Sequence, residues 1–225
     1  TMPKAMVPVN GRPLIDIVLR HLIQQGATEV VVNVHHFAEQ IINYVKQNEW
    51  PIPVRISDES AELLNTGGGL YYAAPQFTAD DALILIHNVD ILSNAKLLDF
   101  YQQNGKADAT LMVSQRETQR YLLFDDDMRL RGWTNIATGE VRSPYRDLQV
   151  DKLHRYAFSG IHLFSPRLFE LMKDWPKAFP IMDFYLKVCA EADIRGCLQS
   201  NLRLLDVGKL NTLHEAEYFV TELGL

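Results

Sequence analysis

Apolar positions along the chain recur in two rhythms, and their alternation predicts an α/β protein. Pro13 suits the first position of a helix, and Leu14, Ile17, Val18, His21 and Leu22 then fall at helical spacing until Gly26, a natural stop. Glu29–Val34 is β-branched and apolar at both parities, which predicts a strand buried on both faces, and helical spacing returns over Ala38–Gln47. Val54–Ser57 reads as the next strand. The cluster Thr66-Gly67-Gly68-Gly69 follows as a loop, then a short helix over Leu70–Ala74 and an apolar strand over Ala82–His87 that ends at Asn88-Val89-Asp90. From about Asp108 the pattern shifts to shorter strands, Ala109–Ser114, Tyr121–Asp125 and Arg129–Thr134, with Ala137-Thr138-Gly139-Glu140 as a turn, so this half reads as mixed or antiparallel. Tyr156–Phe164 and Leu202–Asp206 complete the strands; Pro166–Met172, Ile181–Ala192 and Leu210–Leu223 complete the helices. The opening fits poorly: a parallel α/β unit normally begins with a strand, yet the stub Met6–Val9 carries Pro8, which cannot donate to a ladder.

Composition narrows the class. With 225 residues, 47% hydrophobic and 22% charged, one core suffices, and disordered or collagen-like chains are excluded. No repeat or low-complexity linker divides residues 1–225, so one domain is expected. The longest apolar runs, Ala82–Ile86 and Ile161–Phe164, fall short of the roughly 18 residues of a membrane span, and no signal-peptide pattern opens the chain, which predicts a soluble, cytoplasmic protein. The 22 basic and 28 acidic residues give a formal charge of −6, so nucleic acid and membrane are not expected partners and any anionic ligand needs a local site. Cys189 and Cys197 lack metal-ligand spacing and read as reduced, buried thiols. Trp133, Tyr145 and Trp175 read as core aromatics, and self-association is left open.

Asp90 and Asp206 each follow an apolar strand run, which puts two carboxylates at strand carboxyl ends, where open α/β sheets form their ligand crevice. Such a pair suits Mg²⁺, which takes oxygen ligands and often keeps one or two carboxylates plus substrate phosphates; each aspartate alone reads equally as a turn or cap residue. The Thr66–Gly69 cluster lets backbone N–H groups approach a phosphate or a base edge, or else turns the chain into a helix. It has neither a Walker lysine nor GxGxxG spacing. Lys4, behind Pro3, can present a point charge to phosphate or simply be solvated. His35-His36 reads as a turn pair, and Asp125-Asp126-Asp127 as a solvated hairpin turn without metal. No GxSxG elbow, HExxH or Cys–His signature supports a covalent hydrolase or zinc protease.

Taken together, Thr1–Leu14 (Thr-x-Pro-Lys-x-Met-Val-Pro-Val-x-Gly-x-Pro-Leu), Leu64-Asn65-Thr66-Gly67-Gly68-Gly69, Asn88-Val89-Asp90, Phe158-Ser159-Gly160-Ile161 and Asp206-Val207-Gly208-Lys209-Leu210 resemble the sugar-1-phosphate nucleotidyltransferases, over nearly the whole chain and in the family's order. Within that family the uridylyltransferases of N-acetylmuramate 1-phosphate and the guanylyltransferases of mannose 1-phosphate are the most similar. The resemblance implies a Rossmann-like nucleotidyltransferase fold, a mostly parallel mixed sheet flanked by helices with a smaller antiparallel sugar-side region. It implies an enzyme that joins an NTP to a sugar 1-phosphate and releases pyrophosphate, uridylyl or guanylyl transfer being favoured. Asp90 and Asp206 would hold Mg²⁺, Lys4 would add a second positive charge, Thr66, Gly67, Gly68 and Asn88 would bind the nucleotide, and Ser159 and Gly160 would line the sugar side. The chain departs from the family in three ways: the strand and Gly-x-Gly-x-Arg loop expected just upstream of Pro3-Lys4 are missing, which suggests a truncated form; Val89 replaces a small residue; and no Glu-Lys-Pro segment occurs, leaving Lys152 as the substitute sugar-phosphate lysine. A phosphocholine-type cytidylyltransferase and a non-catalytic nucleotide-sugar-binding module are the alternatives.

Overall fold

A computed structural model describes residues 2–78, 82–207 and 213–225. Its first residues show what the proline-rich opening can form in place of a central strand. Lys4–Met6 makes one 3-10 turn, and Pro8–Val9 (β1) pairs antiparallel with Arg12–Pro13 (β2) around Asn10 and Gly11, whose φ values of +50° and +77° build a tight hairpin. Pro13 therefore precedes the helix rather than opening it. Helix α1 (Leu14–Gln24) buries Leu14, Ile15, Ile17, Val18 and Leu19 and stops before Gly26, which takes a φ of +96°.

The rest follows as β3 (Val30–Val34), α2 (Ala38–Gln47), β4 (Val54–Asp58), α3 (Asn65–Ala73), β5 (Ile84–His87), β6 (Ile91–Ser93), α4 (Leu97–Gln103), β7 (Ala109–Ser114), β8 (Arg120–Phe124), β9 (Leu130–Asn135), β10 (Glu140–Arg142), β11 (His154–Phe164), α5 (Phe169–Met172), α6 (Ile181–Val188), β12 (Ile194–Leu198), β13 (Leu204–Asp206) and α7 (Leu213–Leu223). Short elements without a full period, β6, α4 and β12, were not legible in the sequence. Residues 210–212, the expected start of the last helix, lie outside the described residues.

The fold is mixed α/β. A seven-stranded sheet runs β10-β9-β8-β11-β7-β12, with β5 also on β11. The long strand β11 holds it together: His154–Tyr156 pair with β8, Ile161–Phe164 pair with β5, and residues 157–158 and 162–164 pair with β7 across an irregularity between Phe158 and His162. The expected balance needs correcting, because among the described residues only β7–β12 and β3–β4 are parallel and the other ladders are antiparallel. Beneath the large sheet, Leu111, Val113, Phe124, Phe164, Phe184 and Tyr185 form the main core. Trp133, Tyr145 and Trp175 pack against it as core aromatics. Cys189 is buried there as a free thiol, pushed up to about 11 by burial, and Cys197 is free and half-buried. A second cluster joins α1 to α7 through Leu14, Ile17, Ala216 and Phe219, and a third joins α2 to β3 through Ile41, Val45 and Val34.

Strand β3 departs from the expectation of burial on both faces. Four of its five residues are half-buried or exposed, because it pairs with β4 on one edge while its other edge opens into a cavity of about 920 Å³. The unpaired edge of β5 lines the same cavity from the other side. Two strand edges thus face one another across an apolar gap.

Candidate functional site

At the carboxyl end of β5 the chain turns through Asn88, Val89 and Asp90 into β6. Strand β13 pairs antiparallel with β6, setting Asp206 opposite Ile91, and the Val207 N–H donates to the Asp90 carbonyl at 2.8 Å. The two aspartates are therefore held side by side by backbone hydrogen bonds. Lys4 reaches the same place: its Nζ lies 3.6 Å from Asp90 Oδ2. Its 3-10 turn is fixed by Met6 N–H to Pro3 O and Val7 N–H to Lys4 O, with Ala5 buried against Ile15 and Val34. The lysine side chain is 64% exposed and that of Asp90 27%, so the pair adds at most about 1 kcal/mol to stability. Its position matters more than its strength. Carboxylates are hard oxygen donors of the kind a small divalent cation uses when it keeps waters and phosphate oxygens as its other ligands. Gly208, Lys209 and Leu210 of the closing motif lie outside the described residues.

Asn88 sits against Gly160. The Asn88 N–H donates to the Gly160 carbonyl at 3.2 Å, and a Cβ built on Gly160 would lie 2.8 Å from Asn88 Nδ2. With a φ of +80°, Gly160 is needed both for its backbone conformation and for this approach. Ser159 points elsewhere: it is buried and its hydroxyl donates to the Met112 carbonyl at 2.8 Å, so its side chain braces the irregularity in β11 instead of facing the crevice. Lys152 stands exposed on a 3-10 turn at the opposite end of β11 and does not line the cavity.

The glycine cluster is not a loop. Helix α3 begins at Asn65, so Thr66, Gly67, Gly68 and Gly69 form its first turns. Their reason is close packing: a Cβ on Gly67 would meet the Phe179 ring at 2.3 Å, one on Gly68 the Lys177 carbonyl at 2.3 Å, and one on Gly69 the Asn33 amide at 2.3 Å. The N–H groups of Gly67 and Gly68, offered by the sequence to a phosphate or base edge, both donate to Phe179 O, at 2.8 and 3.2 Å. Thr66 Oγ1 accepts the Ile181 N–H at 2.9 Å and so serves as a cap for α6. Glu59 locks the base of the helix, accepting from Asn33 Nδ2 at 2.6 Å and from the Leu64 N–H at 3.0 Å. Thr66 and Gly69 line the cavity, as do Asn33 and Asn88.

Sequence reading missed the cavity's far wall, where Arg116, Thr118 and Arg120 stand near Trp133, Phe158 and His162. The pattern Arg-x-Thr-x-Arg after a strand was its one available signal. His162 is fully enclosed, neither ring nitrogen has a hydrogen-bond partner, and burial holds its pKa down to about 3. The neighbouring Tyr185 hydroxyl is also buried and unpartnered, and the two rings meet edge to face at 5.5 Å. As expected, Asp125-Asp126-Asp127 forms a turn: Asp125 Oδ1 accepts the N–H groups of Asp127 and Arg129.

Comparison with known proteins identifies a family and a shared fold. Residues 1–175 match the model of the MobA-like NTP transferase domain. The N-acetylmuramate alpha-1-phosphate uridylyltransferase of Caulobacter vibrioides is 28% identical over 212 residues, covering 89% of this chain and 81% of that protein. A mannose-1-phosphate guanyltransferase of Candida albicans is 24% identical over 192 residues, 81% of this chain, and the chain spans about half (51%) of its length. Among solved structures, HddC from Yersinia pseudotuberculosis superposes with a TM-score of 0.74 at 18% identity, covering 96% of this chain and 89% of that one. The inositol-1-phosphate CTP transferase of T. maritima gives 0.72 at 11% identity, covering 97% and 88%. These structures share the fold.

Proposed function

The chain belongs to the MobA-like NTP transferase domain family, and on that premise we propose that it transfers a nucleotidyl group from an NTP to a sugar 1-phosphate, releasing pyrophosphate. The observation that carries the reading is the meeting of Lys4, Asp90 and Asp206 at the carboxyl end of β5, beside a cavity that Asn88 and Val89 help to line. Such transfer requires two anions, the triphosphate and the sugar phosphate, to be brought into line. No covalent intermediate is needed, since fixing both reactants supplies the proximity effect. Asp90 and Asp206 would hold Mg²⁺, which supplies neutralising charge between the α-phosphate and the attacking phosphate when bound. Lys4 adds a further positive charge close to Asp90. Asn88, braced by Gly160, faces the nucleoside or sugar from the cavity wall, and Thr66 does so from the helix that carries the glycines. The relative matched over 81% of its own length is named a uridylyltransferase, which supports UTP as the donor.

Pyrophosphate release with UTP, GTP, CTP and dTTP against N-acetylmuramate, mannose and glucose 1-phosphates tests the proposal. Turnover with a single pair is expected, and Asp90→Asn should lower it at least a hundredfold, roughly the loss of several kcal/mol of charge stabilisation, while the melting temperature stays within a few degrees. An Asp90→Asn protein that turns over normally would remove Asp90 from the metal role.

A further inference from the structure

The two ends of the large sheet are finished differently. At one end the outer edge of β12 is covered by the turn ahead of β9: Arg129 forms an antiparallel bridge with Arg195, and the Gly196 N–H donates to the Met128 carbonyl at 2.8 Å. At the other end β10 pairs with β9 on one side and has no strand on its outer side among the described residues. All three of its residues are exposed, Val141 at 44%, and the hairpin tip before it leaves Ile136 51% exposed. An open edge is a template for a further strand, and proteins commonly blunt it with a proline, a lysine, a bulge or a covering loop. Glu140-Val141-Arg142 contains neither proline nor lysine, and its register with β9 runs without a bulge.

The charges on this edge suit one kind of strand. The Glu140 backbone is held by the hydroxyls of Thr134 and Thr138, while its carboxylate has no partner among the described residues. Arg142 donates to Asp183 Oδ1 at 2.8 Å and lies over the Trp133 ring at 5.9 Å, with its side chain still 43% exposed. A guanidinium has five N–H donors, so capacity for a second carboxylate remains. When β10 is laid antiparallel against a copy of itself, about a two-fold axis through Val141, Glu140 faces Arg142 of the second copy, Arg142 faces its Glu140, and the two valines meet on the axis. A parallel, in-register pairing would instead set Glu against Glu and Arg against Arg, and like charges directly opposite are destabilising. The order Glu-Val-Arg is therefore complementary to itself in one orientation. That register also carries the hairpin tip, with Ile136, toward Ser143 and Pro144 of the second copy.

We propose that β10 is an interaction surface for a second copy of this chain, the two strands pairing antiparallel across a two-fold axis so that the two large sheets continue as one. A contact of this symmetry is self-complementary, so each group on the edge is answered twice. Three residues from each copy make a small contact, which sets the expected dimer among weak, reversible ones, with a dissociation constant of about 10–100 µM. Its ion pairs lie at the surface, so salt weakens it. The proposal goes beyond nucleotidyl transfer and does not depend on it.

Sedimentation equilibrium of the whole chain tests it, over protein concentrations that bracket the expected constant, about 5–500 µM, at low and high salt. A monomer–dimer equilibrium that shifts toward monomer with salt is expected. Val141→Lys puts two ammonium groups together on the axis and Glu140→Lys sets a lysine opposite Arg142 of the second copy, so each should weaken the dimer at least about tenfold. Both positions are exposed, so the fold should be kept, which near-ultraviolet circular dichroism checks. Arg142→Glu should weaken it as well, by setting Glu140 against a glutamate. An equimolar mixture of the Glu140→Lys and Arg142→Glu proteins should dimerise again, because every opposed pair then joins opposite charges; loss of folding in either protein would not give this recovery. A chain that stays monomeric throughout, a dimer that Val141→Lys and Glu140→Lys leave intact, or a mixture that stays monomeric overturns the proposal.

Discussion

His162 has a consequence for stability that depends on pH. In the unfolded chain an imidazole takes up its proton near pH 6.5, whereas burial holds His162 neutral until about 3. Between these values the unfolded state binds more protons, so stability is complete above about pH 6.5 and is lost as the pH falls toward 3, at up to about 1.4 kcal/mol per pH unit. His87, pushed down to about 4 by burial, acts in the same direction. His162→Phe should therefore flatten the profile without abolishing it, which urea midpoints at pH 7, 6, 5 and 4 would show; parallel profiles for the two proteins would mean that the ring is not buried neutral. Gly160 makes a related point for the backbone, since both its φ and its contact with Asn88 exclude a side chain.

Helices α3 and α6 depend on each other through the segment 177–181. Phe179 accepts two N–H groups of α3 and donates its own to Leu64 O at 3.1 Å, while Thr66 caps α6 in return. An exposed ion pair between Lys177 and Glu62 sits beside this junction. Thr66→Val keeps the shape but strips Ile181 N–H of its acceptor, a loss of about 1–2 kcal/mol. Gly68→Ala should cost more, about 2–3 kcal/mol, because the Lys177 carbonyl is backbone and must move for the methyl to fit. Urea denaturation of the two variants orders them; a Gly68→Ala protein as stable as the wild type would show that the 177–181 segment yields freely.

At the scale of the molecule, the β3–β4 layer is not hydrogen-bonded into the seven-stranded sheet among the described residues, and it is held by packing against α1, α2 and α3. Cooperative units with fewer ladder bonds open at lower free energy. Native-state hydrogen exchange should find the β3 and β4 amides opening well below the free energy of global unfolding, with those of β7 and β11 near it. Uniform protection across both layers would show that the gap closes in solution. Strand β11 pairs with β5, β7 and β8, which accounts for the expected rigidity of that strand.

Periodicity was enough to place the long elements. The helix over Ala38–Gln47 and the strand over Ala109–Ser114 lie where their apolar spacing put them, because burial of one face is written in the order of the side chains. The motif order likewise determined the family, and the strand ends at Asp90 and Asp206 were visible as apolar runs closed by carboxylates. Tertiary structure decided the rest. Whether Gly67 and Gly68 lie in a loop or a helix depends on how closely the 177–179 segment approaches, a contact more than a hundred residues distant in sequence. The half-open state of β3 comes from having one neighbour where its composition suits two. Arg116 and Arg120 came to line one cavity only through folding, since proximity is a property of space and not of sequence order.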